Sequence, residues 1–422
     1  MTTRDRADAC PGAVQTHLAA DGRLARVRVP GGLLSGPQLL VLAQAAVDLA
    51  DGALELTSRG NLQLRGLAED APPELARRLH DAGLLPSEPH ETARNVVASV
   101  LSGRTDGGLV DVRPVVRAFD AGLVADPALA ALPGRFLLTV DDGRGDVHGL
   151  AGDVGLLGVA ADAVALTLAG HDTGLRADPA EAHRLALRAA HAFLAEREAQ
   201  DSRAWRLVEL DDGPARVSRR LVRDERGTEV SPGERTGTAV GPGGRTPAAV
   251  PAGARPGAPT PVPGDASGTP LGTVRAGSAD QADGLVALVG LVPLGRLTTP
   301  ALDVLVQVTA ALGSEVQVTP WRSVAVPDLP DEYVDDVATA LHHAGLVFDA
   351  DSPWAHVTAC AGLPGCAKSR ADVRADAARA VATGTLPVAG PQHWAGCERR
   401  CGRPAGSTDV LATGQGYEIG AG

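Results

Sequence analysis

The chain is written twice, and any fold it adopts must accommodate that repetition. A first copy runs Val29-Pro30-Gly31-Gly32-Leu33-Leu34-Ser35-Gly36-Pro37, then an apolar helical stretch to Leu49, then LELTSRGNLQL from Leu54 to Leu64. A second runs Val292-Pro293-Leu294-Gly295-Arg296-Leu297-Thr298-Thr299-Pro300, then a similar helix to Leu312, then VQVTPWRSVAV from Val316 to Val326. A one-residue gap places Thr57 on Thr319, and Leu62 and Leu64 on Val324 and Val326. Downstream, Leu75–Leu84 matches Val337–Leu346, each a helix stopped by a glycine. Pro37 and Pro300 sit where a first helical turn tolerates proline. The alternation in Leu54–Leu64 and Val316–Val326 predicts half-buried strands. Each copy reads as strand, helix, strand, helix, so two related α+β halves are expected.

Between the copies, Ser231 to Pro270 is dominated by Gly, Pro, Ala and Thr and cannot bury enough apolar surface to offset its ordering. It reads as a flexible linker, without the aromatic-flanked P-x-x-P of a docking motif. The segment from Arg94 to about Glu209 belongs to the first half. It offers a strand at Arg135–Val140, an acidic turn at Asp141–Asp146 without the spaced ligands of a calcium loop, and a helix from about Pro179 to Glu198. Leu185, Leu187, Ala190 and Phe193 are available for that helix's buried face.

The 422 residues leave room for two to four domains. A net charge of −12 and aromatics at 2% argue against a nucleic-acid partner, which needs clustered cations and stacking rings. The first residues lack the apolar core of a signal peptide, and no run reaches the roughly 18 to 20 apolar residues of a membrane span. A cytoplasmic protein without membrane contact is expected. Nearly all basic residues are arginine, with Lys368 the only lysine, so Arg in place of Lys carries little information here. No G-x-G-x-x-G marks a nicotinamide site.

Five cysteines in a cytosolic chain are not expected to form disulfides. Cys360 and Cys366 give C-x5-C, Cys397 and Cys401 give C-x3-C, and 30 residues separate the pairs. Four thiolates suit a [4Fe–4S] cluster, in which each iron takes one cysteine sulfur. Zinc, whose knuckles favour tighter pairs, and unligated core cysteines are the alternatives. The first half has no counterpart, because Ala98 aligns with Cys360, so one metal site is expected. Cys10 reads as a turn cysteine before Pro11-Gly12, with a fifth ligand or a reactive thiol as the other readings. His17, His148, His356 and His393 are possible iron ligands that no facial-triad spacing singles out.

With these motifs in order, the chain resembles the sulfite/nitrite reductase superfamily. The resemblance lies in C-x5-C…C-x3-C and in T-x-R-x-x-x-Q at Thr57-Ser58-Arg59-Gly60-Asn61-Leu62-Gln63. It extends to Arg94-Asn95-Val96 and to Leu132-Pro133-Gly134-Arg135-Phe136, similar to L-P-x-K-F. Within the superfamily, Ala9-Cys10-Pro11-Gly12, the run from Ala20 to Gly32, TSRGNLQLRGL, LPGRFLLTVDDGRGDV and Thr319-Pro-Trp-Arg322 look like the precorrin-3B synthases.

The resemblance implies an α+β fold of two pseudo-symmetric halves, each with a ferredoxin-like α/β unit and a larger α/β domain. The expected division is 10–90 for the first ferredoxin-like repeat and 91–222 for the first larger domain. A linker over 223–270, a second repeat over 271–350 and a short iron–sulfur domain over 351–422 complete it. It further implies cluster ligation by Cys360, Cys366, Cys397 and Cys401, with Cys401 at the position that bridges to siroheme iron. Arg59, Arg94 and Arg135 become catalytic candidates, and with Gln63 and Asn95 they become tetrapyrrole-binding candidates, since arginine forks suit carboxylates. The implied activity is O2-dependent hydroxylation of precorrin-3A at C20 with lactone formation. Siroheme-dependent sulfite or nitrite reduction is the alternative. If the cradle holds substrate instead of siroheme, an additional iron is expected to activate O2, whereas siroheme goes with the reductase alternative; electrons are expected from a ferredoxin or an NAD(P)H-linked reductase. One departure matters: Leu137 stands where sulfite reductases carry a second lysine.

Overall fold

The computed structural model describes residues 10–150, 152–227 and 275–420. In the first copy, β1 (His17–Ala19), β2 (Gly22–Val27) and β3 (Leu33–Ser35) lead into α1 (Gly36–Leu49), followed by β4 (Ala53–Leu56), β5 (Leu62–Leu67) and α2 (Ala71–Asp81). A larger unit follows, with β6 (Val96–Ala98), α3 (Arg113–Ala125), β7 (Leu138–Asp141), β8 (Val154–Ala160), β9 (Ala163–Leu168) and β10 (His171–Ala177). It closes with α4 (Ala182–Ala199) and α5 (Gly213–Gly227). The second copy contains β11 (Gly277–Asp280), β12 (Val286–Leu291), β13 (Arg296–Thr298), α6 (Thr299–Leu312), β14 (Glu315–Val318), β15 (Ser323–Leu329) and α7 (Asp331–His343). The C-terminal unit has β16 (Val357–Ala359), α8 (Val373–Thr383), β17 (Gln392–Ala395), β18 (Thr408–Ala412) and β19 (Tyr417–Gly420).

Local chemistry explains the boundaries. Ser35 caps α1 in a reciprocal capping box with Gln38, with Pro37 in the first turn. Gly83 and Gly345 adopt positive φ just past α2 and α7, as the sequence suggests. The expected long strands Leu54–Leu64 and Val316–Val326 are instead hairpins. Thr57 N–H donates to the Asn61 carbonyl and Gly60 N–H to the Thr57 carbonyl, turning the chain between β4 and β5. Thr319, Arg322 and Ser323 repeat those bonds between β14 and β15. The strand expected at Arg135–Val140 begins only at Leu138, because Phe136 N–H closes a turn onto the Pro133 carbonyl. The helix expected from Pro179 begins at Ala182 and buries Leu185, Ala190 and Phe193, while Leu187 is half-buried. Helix α5 continues to Gly227, inside the segment where the linker was drawn; the rest of that segment lies outside the described residues.

The two copies exchange strands. One sheet has the order β1-β2-β5-β4-β13 and the other β11-β12-β15-β14-β3, so each copy donates its pre-helix strand to its partner's sheet. Leu297 pairs with Leu54, and Leu34 with Val316. Their helices share one core, with Leu39 and Leu42 of α1 and Leu302 and Leu305 of α6 all buried. Each fully buried leucine contributes about 2 kcal/mol. Gly32 lies at the crossing, where an added Cβ would stand 1.9 Å from the Val318 carbonyl oxygen.

The larger units repeat too. In one, β6, β7 and β8 run parallel and β9 antiparallel; in the other, β16, β17 and β18 run parallel and β19 antiparallel. Two matched α+β halves are thus the architecture. The half-buried expectation for the hairpin strands fails, because β5 and β15 are covered on both faces. On β5 the polar face is capped by the cysteine loop, where Arg65 donates to the Gly365 carbonyl.

Candidate functional site

Three separated motifs meet at one carbonyl. Arg59 stands in the β4–β5 turn, which the Thr57 hydroxyl fastens by accepting from Arg59 and Asn61 N–H. Its guanidinium donates to the Gly134 carbonyl at 3.3 Å, and the Asn95 amide donates to the same oxygen at 2.9 Å. Asn61 donates to Asn95 and accepts from Val29 N–H, locking the turn to the chain just past β2. Burial lowers the pKa of Arg59 to about 10, helped by nearby Arg206 and Arg26, while Asp153 and Cys10 oppose the shift.

The other arginines named from sequence point elsewhere. Arg94 is buried and forked onto Asp120, with both N···O distances 2.7 Å, and its third donor goes to the Leu84 carbonyl. Arg135 is exposed and lies 5.0 Å over the Trp205 ring. Gln63 turns from the cradle toward the cysteines, accepting from Arg26 and donating to Glu55.

Sequence reading missed Arg28. It is 2% exposed, and its Nε donates to the Thr92 carbonyl at 3.4 Å, yet neither terminal nitrogen has a hydrogen-bond partner among the described residues. Burial lowers its pKa to about 9, with Arg26 and Arg59 contributing and Cys10 and Glu91 opposing. A buried guanidinium with two orphaned nitrogens carries a large desolvation cost that an incoming anion removes. Cys10 belongs here as well. It lines a cavity of about 170 Å³ with Thr92, Leu132, Pro133 and Gly134. Glu91 holds that N-terminal segment by accepting from the N–H groups of Ala13, Val14 and Gln15. The available signal was the alternation Arg26-Val27-Arg28, since residues i and i+2 of an extended chain put two cations on one face. A larger concavity of about 570 Å³ lies between α4 and α5 and contains none of the residues named from sequence.

Leu137 is buried in an apolar cluster with Val97 and Val147, against which Trp321 packs. Its N–H is taken by Asp153. The position where reductases place a cation is therefore part of an apolar wall.

The four cysteines of the C-terminal unit gather at one place. Burial raises the pKa of Cys401, and the neighbouring thiols of Cys360, Cys397 and Cys366 add to it against Arg399. Gly396 N–H donates to Cys360 Sγ at 3.2 Å. Among the described residues, three or more potential ligand atoms come within 4.8 Å of one another only at Asp141, Asp142 and Asp146. Four thiolates on one zinc would stand about 3.8 Å apart. Four thiols gathered at one place offer one sulfur to each of four irons, so the donor set fits a cubane cluster.

The first half contains the same framework without the thiols. Ser99 N–H donates to the Val140 carbonyl as Cys360 N–H does to the Trp394 carbonyl. Asp142 N–H donates to Ser99 Oγ as Gly396 N–H does to Cys360 Sγ. Ser99, rather than Ala98, is thus the structural counterpart of Cys360. Its hydroxyl is held by Asp146, whose pKa rises to about 7 through burial and nearby Asp141.

A buried ionic chain joins the cysteines to the cradle. Arg374 donates to the Cys360 carbonyl and, at 2.5 Å, to Glu55, which accepts from Gln63, the neighbour of Arg26. His393 lies beside Arg322 and the Cys401 backbone. It is buried, with Nδ1 on Thr358. Burial and Arg322 lower its pKa to about 4, against Asp409 and the Cys401 backbone. His17 is exposed on β1, and His148 lies in a short 3-10 turn.

Comparison with known proteins gives the class. The "Nitrite/Sulfite reductase ferredoxin-like half domain" matches residues 17–82 and again 279–344, the two units that exchange strands. A solved structure, the Mycobacterium tuberculosis NirA protein, shares the fold with a TM-score of 0.71 and 21% identity, over 94% of this chain and 74% of that one. With both ferredoxin-like halves matched, the chain is similar to the nitrite/sulfite reductase superfamily. Within it, a precorrin-3B synthase of Sinorhizobium is 27% identical over 96% of this chain and 80% of its own length. A ferredoxin–nitrite reductase of Synechococcus elongatus is 28% identical over 90% and 74%. A ferredoxin sulfite reductase of Mycolicibacterium paratuberculosis is 25% identical over 83% of this chain and 60% of its own. Among the described residues no helix is long and apolar enough to cross a membrane.

Proposed function

We propose that the chain is an enzyme of the precorrin-3B synthase type. It holds precorrin-3A in the arginine cradle and hydroxylates it at C20 with O2, the ring A acetate closing to a lactone. One oxygen atom enters the substrate and the other leaves as water. Two electrons from an external donor, a ferredoxin or an NAD(P)H-linked reductase, and two protons balance the step.

The observation that carries this reading is the apolar wall of Leu137, Val97, Val147 and Trp321 beside the Gly134 loop. A reductase must stabilise charge on a small oxyanion as electrons and protons arrive. O2 is neutral and needs no second cation. The length of the match to the Sinorhizobium synthase supports the same choice. In this reading Arg28 and Arg59 bind substrate carboxylates, since both remain cations at neutral pH with burial pressing against their charge. Asn95 and Asn61 hold the turn that aims Arg59. Arg94 keeps α3 against the loop after α2, which makes it a positioning residue. When bound by Cys360, Cys366, Cys397 and Cys401, a [4Fe–4S] cluster supplies one-electron transfer.

Siroheme-dependent sulfite or nitrite reduction is the second reading, favoured by the reductase relatives. An absorption spectrum of anaerobically purified protein, followed by turnover, separates the two. A broad iron–sulfur shoulder without sharp tetrapyrrole bands, with O2-dependent consumption of precorrin-3A, is expected. Siroheme bands with reduction of sulfite or nitrite would overturn the proposal.

A further inference from the structure

The hairpin turns of the two copies make the same hydrogen bonds, and one of their residue differences has a further chemical meaning. In the first turn Gly60 takes the left-handed conformation, at φ 63°; in the second that place belongs to Arg322, at φ 58°. Such a backbone carries a steric cost for any residue with a Cβ and little for glycine. The second copy therefore retains an arginine where the fold itself asks for glycine.

The arginine is built in. Its stem crosses Gly295, where an added Cβ would stand 2.8 Å from Arg322 Cδ, so a side chain at 295 would displace it. Its guanidinium donates to the Gly402 carbonyl, one residue beyond Cys401, at 3.1 Å. Its chain neighbour Trp321 packs against Leu137. The turn thus spans from the apolar wall of the cradle to the cysteine loop. Arg322 is half-buried and forms no ion pair among the described residues. Other buried arginines nearby have carboxylates: Arg374 has Glu55, and Arg65 has Asp21. Burial and the neighbouring Arg374 both press against the Arg322 charge, and an anion from outside the chain would relieve them.

We infer that Arg322 is a carboxylate-binding residue for the tetrapyrrole, supplied by the second copy on the cysteine side of the cradle, opposite Arg28 and Arg59 of the first. The inference rests on the synthase reading in taking a polycarboxylated tetrapyrrole as the ligand. The macrocycle is then held from both copies, and its face is registered against the cysteine loop through the same side chain that touches Gly402.

The test is anaerobic binding of precorrin-3A to the wild-type chain, Arg322→Gly and Arg322→Lys, with iron and sulfide content and the cluster's reduction potential measured alongside. Arg322→Gly removes the charge and installs the residue that the first turn has, so the backbone is not strained. The expected result is full iron and a dissociation constant raised about tenfold or more, the range for a lost hydrogen bond to a charged group. Arg322→Lys should recover only part, because a point charge lacks the fork. Unchanged binding in Arg322→Gly at full iron would overturn the inference, and so would a shifted reduction potential with unchanged binding, which would assign the cation to the cluster. Should Arg322→Gly lose iron, Arg322→Lys carries the comparison: weaker binding at full iron supports the inference and unchanged binding overturns it. Failure of the wild-type chain to bind precorrin-3A would instead strike the synthase reading.

Discussion

Removing the charge of Glu55 should loosen the cysteine loop more than any substitution of comparable size on the surface. Glu55 is 7% exposed. One oxygen takes Arg374 at 2.5 Å, with Arg296 at 3.6 Å and Arg65 at 3.9 Å; the other takes the Gln63 amide at 2.8 Å. In Glu55→Gln, Arg65 keeps Asp21 at 2.9 Å and Arg296 keeps Asp51 at 3.0 Å. The loss therefore falls on Arg374, which burial disfavours and Glu55 more than compensates, so that its pKa stands above the ordinary value. Breaking one side of a buried pair costs about 3–5 kcal/mol. Arg374 is one-fifth exposed, which brings the expectation to about 2–3 kcal/mol after solvent screening. The assay is loss of iron–sulfur absorbance in urea for Glu55→Gln, Arg374→Met and the double variant. Members of one ionic network couple by about 0.5–3 kcal/mol, and a coupling of about 1.5 kcal/mol or more is expected here. Effects that add to within about 0.5 kcal/mol would refute the claim that this pair fastens the loop.

Further outcomes follow from the same geometry. Arg59→Ala should weaken precorrin-3A binding more than tenfold at full iron content, since losing one member of a desolvated charge pair costs about 2–5 kcal/mol; equilibrium binding with iron analysis checks it. Cys360→Ser and Cys366→Ser should abolish the iron–sulfur spectrum while Cys10→Ser leaves iron and sulfide unchanged, because Cys10 lies in the cradle and not among the four clustered thiols. Asp146 has a folded-state pKa of about 7 against an ordinary 3.8, so the folded chain retains a proton that the unfolded chain releases between those values. Its contribution to stability therefore falls as pH rises from about 4 to 7, by at most about 4 kcal/mol. Unfolding midpoints of Asp146→Asn measured across that range should show a flatter profile than wild type.

Much of the architecture was legible because repetition survives in local chemistry. The proline-started helices, their glycine stops and the two cysteine pairs all carry signals a few residues long. The strand exchange was not legible, because β3 and β13 are three-residue strands whose partners are chosen by the packing of α1 on α6. The hairpin turns were misread as continuous strands, since Gly60 and Arg322 sit in runs whose apolar alternation continues on either side. That the four cysteines gather at one place was anticipated by their paired spacing. The cradle was readable only in part. Arg59 and Asn95 meet at Gly134, but Arg94 answers to Asp120, whose position no motif announces. Arg28 escaped notice because its importance lies in two terminal nitrogens left without a hydrogen-bond partner among the described residues, which only the packed structure can display.

The central claim is that an iron–sulfur framework of the reductase kind here serves oxygen chemistry on a tetrapyrrole. The most direct measurement supplies precorrin-3A and isotopically labelled O2 to the reduced, cluster-loaded chain and follows the product by mass spectrometry. The account predicts a product carrying one labelled oxygen atom, formed only when O2 is present, with no turnover of sulfite or nitrite. Unaltered precorrin-3A alongside reduction of sulfite or nitrite would contradict it.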